Sequence, residues 1–227
     1  MTPPLLLSSS LGTSQALWEP NLARLASRFR VVRYDHPGHG DAPPGTRTIE
    51  GFAQAALAAA DAAGLERFSF CGLSLGGMVG MWLAAHVPER VERLVIACSA
   101  PFLPPAEQWL ERAAIVRERG VGAVADAVVG RWFTPRFADP EPWRRHLLAT
   151  PAEGYARACE ALAAMDLRAD LARIGVSTTV ILGRHDPVVS TENRRLLAAL
   201  GPVVTLDAAH LANVEQPDAF SDTVLAA

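Results

Sequence analysis

The sequence contains no lysine: all 21 of its basic residues are arginine. Schiff-base chemistry on a lysine amine and a P-loop lysine for phosphate are both excluded. Cysteine is scarce as well. Cys71, Cys98 and Cys159 form an odd set without CxxC spacing, each in an apolar or alanine-rich stretch, which points to buried free thiols rather than a disulfide framework. No apolar run approaches the roughly 20 residues that cross a bilayer, and the start, MTPPLLLSSSLG, has no charged region of the kind that opens a secretory signal. Charge is not concentrated either. The formal net charge is -3 with no basic tract, so there is no electrostatic footprint for nucleic acid or an anionic membrane. These absences predict a cytoplasmic protein whose partners are small molecules.

What is present is a chain of 227 residues, half of them hydrophobic, enough for one compact domain with a sizeable core. Short apolar or β-branched runs at 5–7, 31–34, 67–71, 92–97, 178–182 and 203–206 read as buried strands. Helical patterns separate them: 16–28, then 49–63 with Thr48 as its cap and Gly64 as its stop, 78–86 ended before Pro88, 191–200, and a last helix after Pro217. Such alternation predicts a mostly parallel sheet with helices on both faces. Between 101 and 171 the alternation fails. Helical stretches such as 107–119 and 122–132 follow one another there, so 101–171 is expected to be a helical cap inserted in a core of 1–100 and 172–227.

Gly72-Leu73-Ser74-Leu75-Gly76 follows a predicted strand and opens a predicted helix, the context in which G-x-S-x-G presents a serine on a tight turn at the carboxyl end of a sheet. Glycine two before and two after the serine avoids collision with neighbouring backbone. A serine hydroxyl is a weak nucleophile without a base, and the base must itself be oriented. Asp186 lies just after the strand ending at Leu182-Gly183, and His210 lies in the loop after the last strand. Ser74, Asp186, His210 is the chain order of the α/β-hydrolase fold. Asp207, three residues before His210, is a rival for the acid. An oxyanion would be held by the N-H of Leu75, the residue after the serine, and by an N-H from the loop Ser8-Ser9-Ser10-Leu11-Gly12, where Leu11 is the choice.

Other signals have simpler explanations. Asp35-His36-Pro37-Gly38-His39-Gly40-Asp41 offers metal-ligand types but reads as a proline-glycine turn after a strand, without partner ligands at recognisable spacing. Trp109, Trp132 and Trp143 fall in the insertion, where aromatics are most often packing. In Arg131-Trp132-Phe133-Thr134-Pro135, a cation and a large ring precede a helix stop, which suits a lid over a small polar ligand as well as it suits cap core.

These residues resemble one family, the 3-oxoadipate enol-lactonases, α/β-hydrolases of the β-ketoadipate route of aromatic breakdown. The resemblance runs from Leu5-Leu-Leu-Ser-Ser-Ser-Leu-Gly-Thr13 through Val32-Arg-Tyr-Asp35, Gly38-His-Gly40 and Phe70-Cys-Gly-Leu-Ser-Leu-Gly-Gly77. It continues through Pro88-Glu-Arg90, Arg131 to Pro135, Gly154-Tyr155 with Cys159, His185-Asp-Pro-Val188, Asp207-Ala-Ala-His210 and Glu215 to Phe220. Two departures stand out. Such proteins usually carry arginine where this chain has Pro37, so no substrate role is carried over there. They also begin with an antiparallel hairpin before the strand at 5–7, which only four residues precede here. A sheet without that hairpin would expose the edge of the strand at 31–34, implying lower stability or a covered edge.

The resemblance implies a hydrolase that opens a small anionic enol-lactone with water to 3-oxoadipate. Ser74 would attack, His210 would take its proton, Asp186 would orient His210, and the Leu11 and Leu75 amides would hold the oxyanion. Arg131 and Trp132 are the candidates for contact with the substrate carboxylate, and no metal or organic cofactor is needed. A general carboxylesterase or another lactonase would use the same residues, and a receptor on this fold would bind without turnover.

Overall fold

The computed structural model describes residues 2–227. Among the described residues six strands form one wholly parallel sheet: β1 (Pro4–Ser8), β2 (Arg30–Arg33), β3 (Phe68–Leu73), β4 (Val91–Ala97), β5 (Ser177–Gly183) and β6 (Val203–Leu206). Their order across the sheet is β2-β1-β3-β4-β5-β6. The chain moves outward from β1 to β2, returns over β1 to β3, and then continues in the other direction. Right-handed crossovers therefore put α1 (Glu19–Leu25) on one face, and α2 (Ile49–Ala62), α3 (Leu75–His86) and α8 (Thr191–Ala198) on the other. The last helix, α10 (Pro217–Ala226), packs against α1, and α2 packs against α3. With both faces covered, strand residues face apolar neighbours on either side, which explains why β3 reads as a run without alternation and is buried at every position. Leu5, Leu6 and Leu7 of β1 are likewise buried, at about 1.5–3 kcal/mol of favourable transfer each. Among the described residues β2 and β6 are the sheet edges, and Val31 and Val32 of β2 are half-buried.

The reversal of direction between β1 and β3 has a functional consequence. The connections leaving the carboxyl ends of these two neighbouring strands run to opposite faces, and a crevice opens between them. The Ser8 to Thr13 loop and the Ser74 turn border it.

Helix limits follow local chemistry. Thr48 caps α2 by accepting a hydrogen bond on its hydroxyl from the Gly51 N-H at 3.1 Å, a cap worth about 1 kcal/mol. The expected single helix over 16–28 is instead a 3-10 turn, Gln15–Trp18, followed by α1. Pro20 accounts for the break: without an N-H it is tolerated only in a first turn, so a new helix begins there. Between β4 and β5 the expected helix over 122–132 is shortened to α5 (Ala125–Trp132), after a 3-10 turn at Val121–Ala123. Two further helices, α6 (Glu141–Leu148) and α7 (Ala152–Ala164), were not distinguished by periodicity; Pro140 and Pro151 sit at their starts.

Between β4 and β5, α4 (Ala106–Arg119) packs along α7, and the stretch contributes only an isolated bridge, Phe102 with Asp166, among the described residues. Its two ends meet, the Leu167 N-H donating to the Pro101 carbonyl at 2.8 Å. Since β4 ends at Ala97, this stretch rises from the carboxyl edge of the sheet, over the crevice. No helix of the described residues is long and apolar enough to cross a membrane. The three cysteines are buried free thiols.

Candidate active site

Ser74 sits between β3 and α3 with φ 57° and ψ -114°, a conformation disfavoured for a residue with a side chain. The surroundings hold it there. The Ser74 N-H donates to the Ala97 carbonyl at 2.8 Å, and the Ser99 hydroxyl donates to the Ser74 carbonyl at 2.7 Å. The flanking glycines are required by close approach: a Cβ on Gly72 would lie 2.1 Å from the Gly76 carbonyl oxygen, and one on Gly76 would lie 2.1 Å from the Ser8 carbonyl oxygen. The strained turn projects Oγ into the crevice.

His210 Nε2 lies 2.9 Å from Ser74 Oγ, and His210 Nδ1 lies 2.9 Å from Asp186 Oδ2. The Asp186 side chain is fully buried, and its other oxygen accepts the Val188 N-H at 2.8 Å. With a carboxylate on Nδ1, the proton of a neutral imidazole belongs there, leaving Nε2 as the acceptor that faces the serine hydroxyl. Asp207, the rival acid, is turned to the surface and pairs with His185 at 2.8 Å and Arg136 at 2.9 Å.

Leu75 is the first residue of α3, where helix N-H groups have no intrahelical partner. Leu11 lies in a turn closed by the Thr13 N-H on the Ser10 carbonyl at 3.2 Å, and Ser10 and Leu11 line the same cavity as Ser74 and His210. The Gly76 N-H donates to the Ser9 carbonyl at 3.0 Å, while Trp18 Nε1 donates to the Ser9 hydroxyl at 3.1 Å, so this loop is docked on the serine turn.

His36 and His39, in the turn with metal-ligand residue types, serve as packing. His36 Nε2 lies 3.0 Å from the Ser9 carbonyl oxygen, and the ring stacks edge-on against Phe52. Burial, reinforced by His39, pushes the His36 pKa down to about 3, and burial pushes His39 down to about 4. Both rings are neutral in the fold, so their stability contribution is complete above the unfolded value near 6.5 and is lost as pH falls below it. Between pH 6.5 and 5 each should cost roughly 2 kcal/mol. Urea midpoints should fall over this range and fall less in His36→Gln; identical slopes in the two proteins would contradict this account of His36.

The cavity has a volume of about 240 Å³, small even for a ligand site. Arg131 and Trp132 line it together, as do Trp109, Arg112 and Tyr155. Burial, followed by the nearby Arg112 charge, lowers the Arg131 pKa below its usual value. Arg112 lies over the Trp109 ring, 4.6 Å from its centroid. No ion pair to Arg112 or Arg131 occurs among the described residues, and no acidic side chain lines the cavity. Two neighbouring cations without a counter-charge therefore face a small cavity. Trp109 was expected to be packing and is cavity wall, whereas Trp143 stacks on His146 outside it. Sequence reasoning missed Arg112. The signal was its spacing of three from Trp109, which puts both on one face of α4.

The buried serine, histidine and aspartate at the carboxyl edge of a parallel sheet, under the helices between β4 and β5, define a class of protein. The chain is a hydrolase of the alpha/beta hydrolase family, whose family model matches residues 5–223. Within the family it is 37% identical over 98% of its length to 3-oxoadipate enol-lactonase 2 of Acinetobacter baylyi, covering 87% of that protein. It is also 34% identical to 3-oxoadipate enol-lactonase 1 of the same organism, over 96% of this chain and 85% of that one. Among solved structures, the enol-lactonase from Burkholderia xenovorans matches with a TM-score of 0.94 at 40% identity, over 100% of this chain and 91% of that one.

Proposed function

We propose that the protein hydrolyses 3-oxoadipate enol-lactone to 3-oxoadipate in the breakdown of aromatic compounds. The observation that carries the reading is the pair Arg112 and Arg131, unpaired and lining the same cavity as Ser74 and His210. Half-buried cations without a counter-charge favour an anion, and the lactone supplies one in its carboxylate. The similarity to proteins named as enol-lactonases supports the same substrate.

In this reading residues 1–100 and 172–227 form the core and 101–171 the cap that closes over substrate. The carboxylate lies against Arg112 and Arg131, beside Trp132, which puts the lactone carbonyl at Ser74. Ser74 Oγ attacks as His210 Nε2 takes its proton, and Asp186 stabilises the imidazolium through Nδ1. The oxyanion is held by the Leu75 and Leu11 N-H groups, at a helix N-terminus that favours negative charge. Collapse breaks the ring C-O bond and leaves an acyl-enzyme. The leaving group is an enolate, more stable than an alkoxide, so proton delivery from His210 is less demanding. Water, deprotonated by His210, then frees Ser74, and the enol tautomerises to the ketone.

The test is charge discrimination. Arg131→Gln and Arg112→Gln should each lower kcat/KM for the enol-lactone roughly 10- to 100-fold, as loss of a hydrogen bond to a charged group does, while turnover of its neutral methyl ester changes little. Equal effects on acid and ester would remove the arginines from carboxylate recognition and favour a general esterase.

A further inference from the structure

The loop that carries His210 and the segment that leaves α5 are joined by one carboxylate. Glu215 closes the short helix α9 (Ala212–Glu215). Its Oε2 accepts a hydrogen bond from the Ala209 N-H at 2.8 Å, and its Oε1 accepts from the Thr134 N-H at 3.2 Å and from the Thr134 hydroxyl. On the other side of His210, the Leu211 N-H donates to the Trp132 carbonyl at 2.9 Å. Both chain neighbours of the histidine are thus fastened to residues 132–134. Those residues follow directly on Arg131 in the cavity wall.

We infer that Glu215, with Thr134, is a positioning residue that couples the anion-binding wall of the cavity to His210. This rests on the reading of Ser74 as nucleophile and His210 as its base. Hydrogen bonds to a carboxylate are short and strong, and here one carboxylate collects three donors from two segments far apart in sequence. A glutamine at 215 keeps the shape but has a single accepting oxygen, so the N-H of either Ala209 or Thr134 is left facing the amide NH2. A displacement of His210 by a fraction of an ångström is then enough to lengthen its contact with Ser74.

Reaction with a fluorophosphonate reads this contact without the lactone. Ser74 Oγ would form a bond to phosphorus as the P-F bond breaks, fluoride leaves and the hydroxyl proton passes to His210. Inactivation rates are measured against pH for wild type, Glu215→Gln, Thr134→Val and Thr134→Ser, with thermal denaturation of each. The expected result is a rate lower by about tenfold or more in Glu215→Gln and by a smaller factor in Thr134→Val, in folded protein, with an altered pH profile. Thr134→Ser, which keeps the hydroxyl, should react like wild type, and with the lactone kcat should fall more than KM rises. A folded Glu215→Gln with the wild-type rate and pH profile would overturn the inference. If Glu215→Gln does not fold, equal rates in Thr134→Val and Thr134→Ser would overturn it. Failure of the wild type to react at all would instead overturn the nucleophile reading beneath it.

Discussion

Ser74→Ala should lower kcat for the enol-lactone by roughly 10⁶-fold while leaving the fold and the affinity for product nearly unchanged. The substitution keeps the Cβ and removes only Oγ, so the turn at φ 57° meets the same backbone demands and its bonds to Ala97 and Ser99 persist. What disappears is the one atom within 2.9 Å of His210 Nε2 that can become covalently bonded to the acyl group. Residual turnover above water would come from the two backbone amides and the arginine pair, which still favour the charge of a tetrahedral intermediate. Denaturation midpoints and product binding measured beside kcat separate loss of chemistry from loss of structure.

Asp186→Asn should lower kcat by about 10⁴-fold, through the tautomer of His210 rather than through its position. The direction in which the new amide points is fixed by a neighbour: Asp186 Oδ1 accepts the Val188 N-H at 2.8 Å, so the amide oxygen of an asparagine stays there. Its NH2 then faces His210 Nδ1 and donates to it. The imidazole proton is driven to Nε2, which becomes a donor toward Ser74 and cannot accept the hydroxyl proton. Both kcat and the fluorophosphonate rate should fall together. A variant within tenfold of wild type would move the acid role away from Asp186.

These expectations rest on parts of the molecule that differ in how far the sequence discloses them. The strands and the serine turn were legible because their signals are local: β-branched and apolar runs between turns, and glycines where a Cβ would strike backbone at 2.1 Å. Asp186 and His210 were legible by position, each just past a strand end on the carboxyl edge of the sheet. Arg112 was not, because its meeting with Arg131 depends on how α4 and α5 pack, and helical spacing alone does not disclose that. The clamp at Glu215 was invisible for a different reason. Two of its three donors are main-chain N-H groups, which every residue but proline possesses, so no side-chain pattern marks them. The breaks in the helices at 16–28 and 122–132 were missed because an apolar periodicity continues through a 3-10 turn at the resolution of a sequence pattern.

The central claim is that Ser74 opens an anionic enol-lactone in a cavity whose free charge is positive. The direct measurement follows the ultraviolet absorbance of 3-oxoadipate enol-lactone with wild type and with Ser74→Ala, and quantifies the 3-oxoadipate formed. The account predicts enzyme-dependent loss of absorbance with one 3-oxoadipate per lactone consumed in wild type, and a rate lower by roughly 10⁶-fold in Ser74→Ala. Equal rates above background in both proteins, or no turnover by a folded wild type, would contradict it.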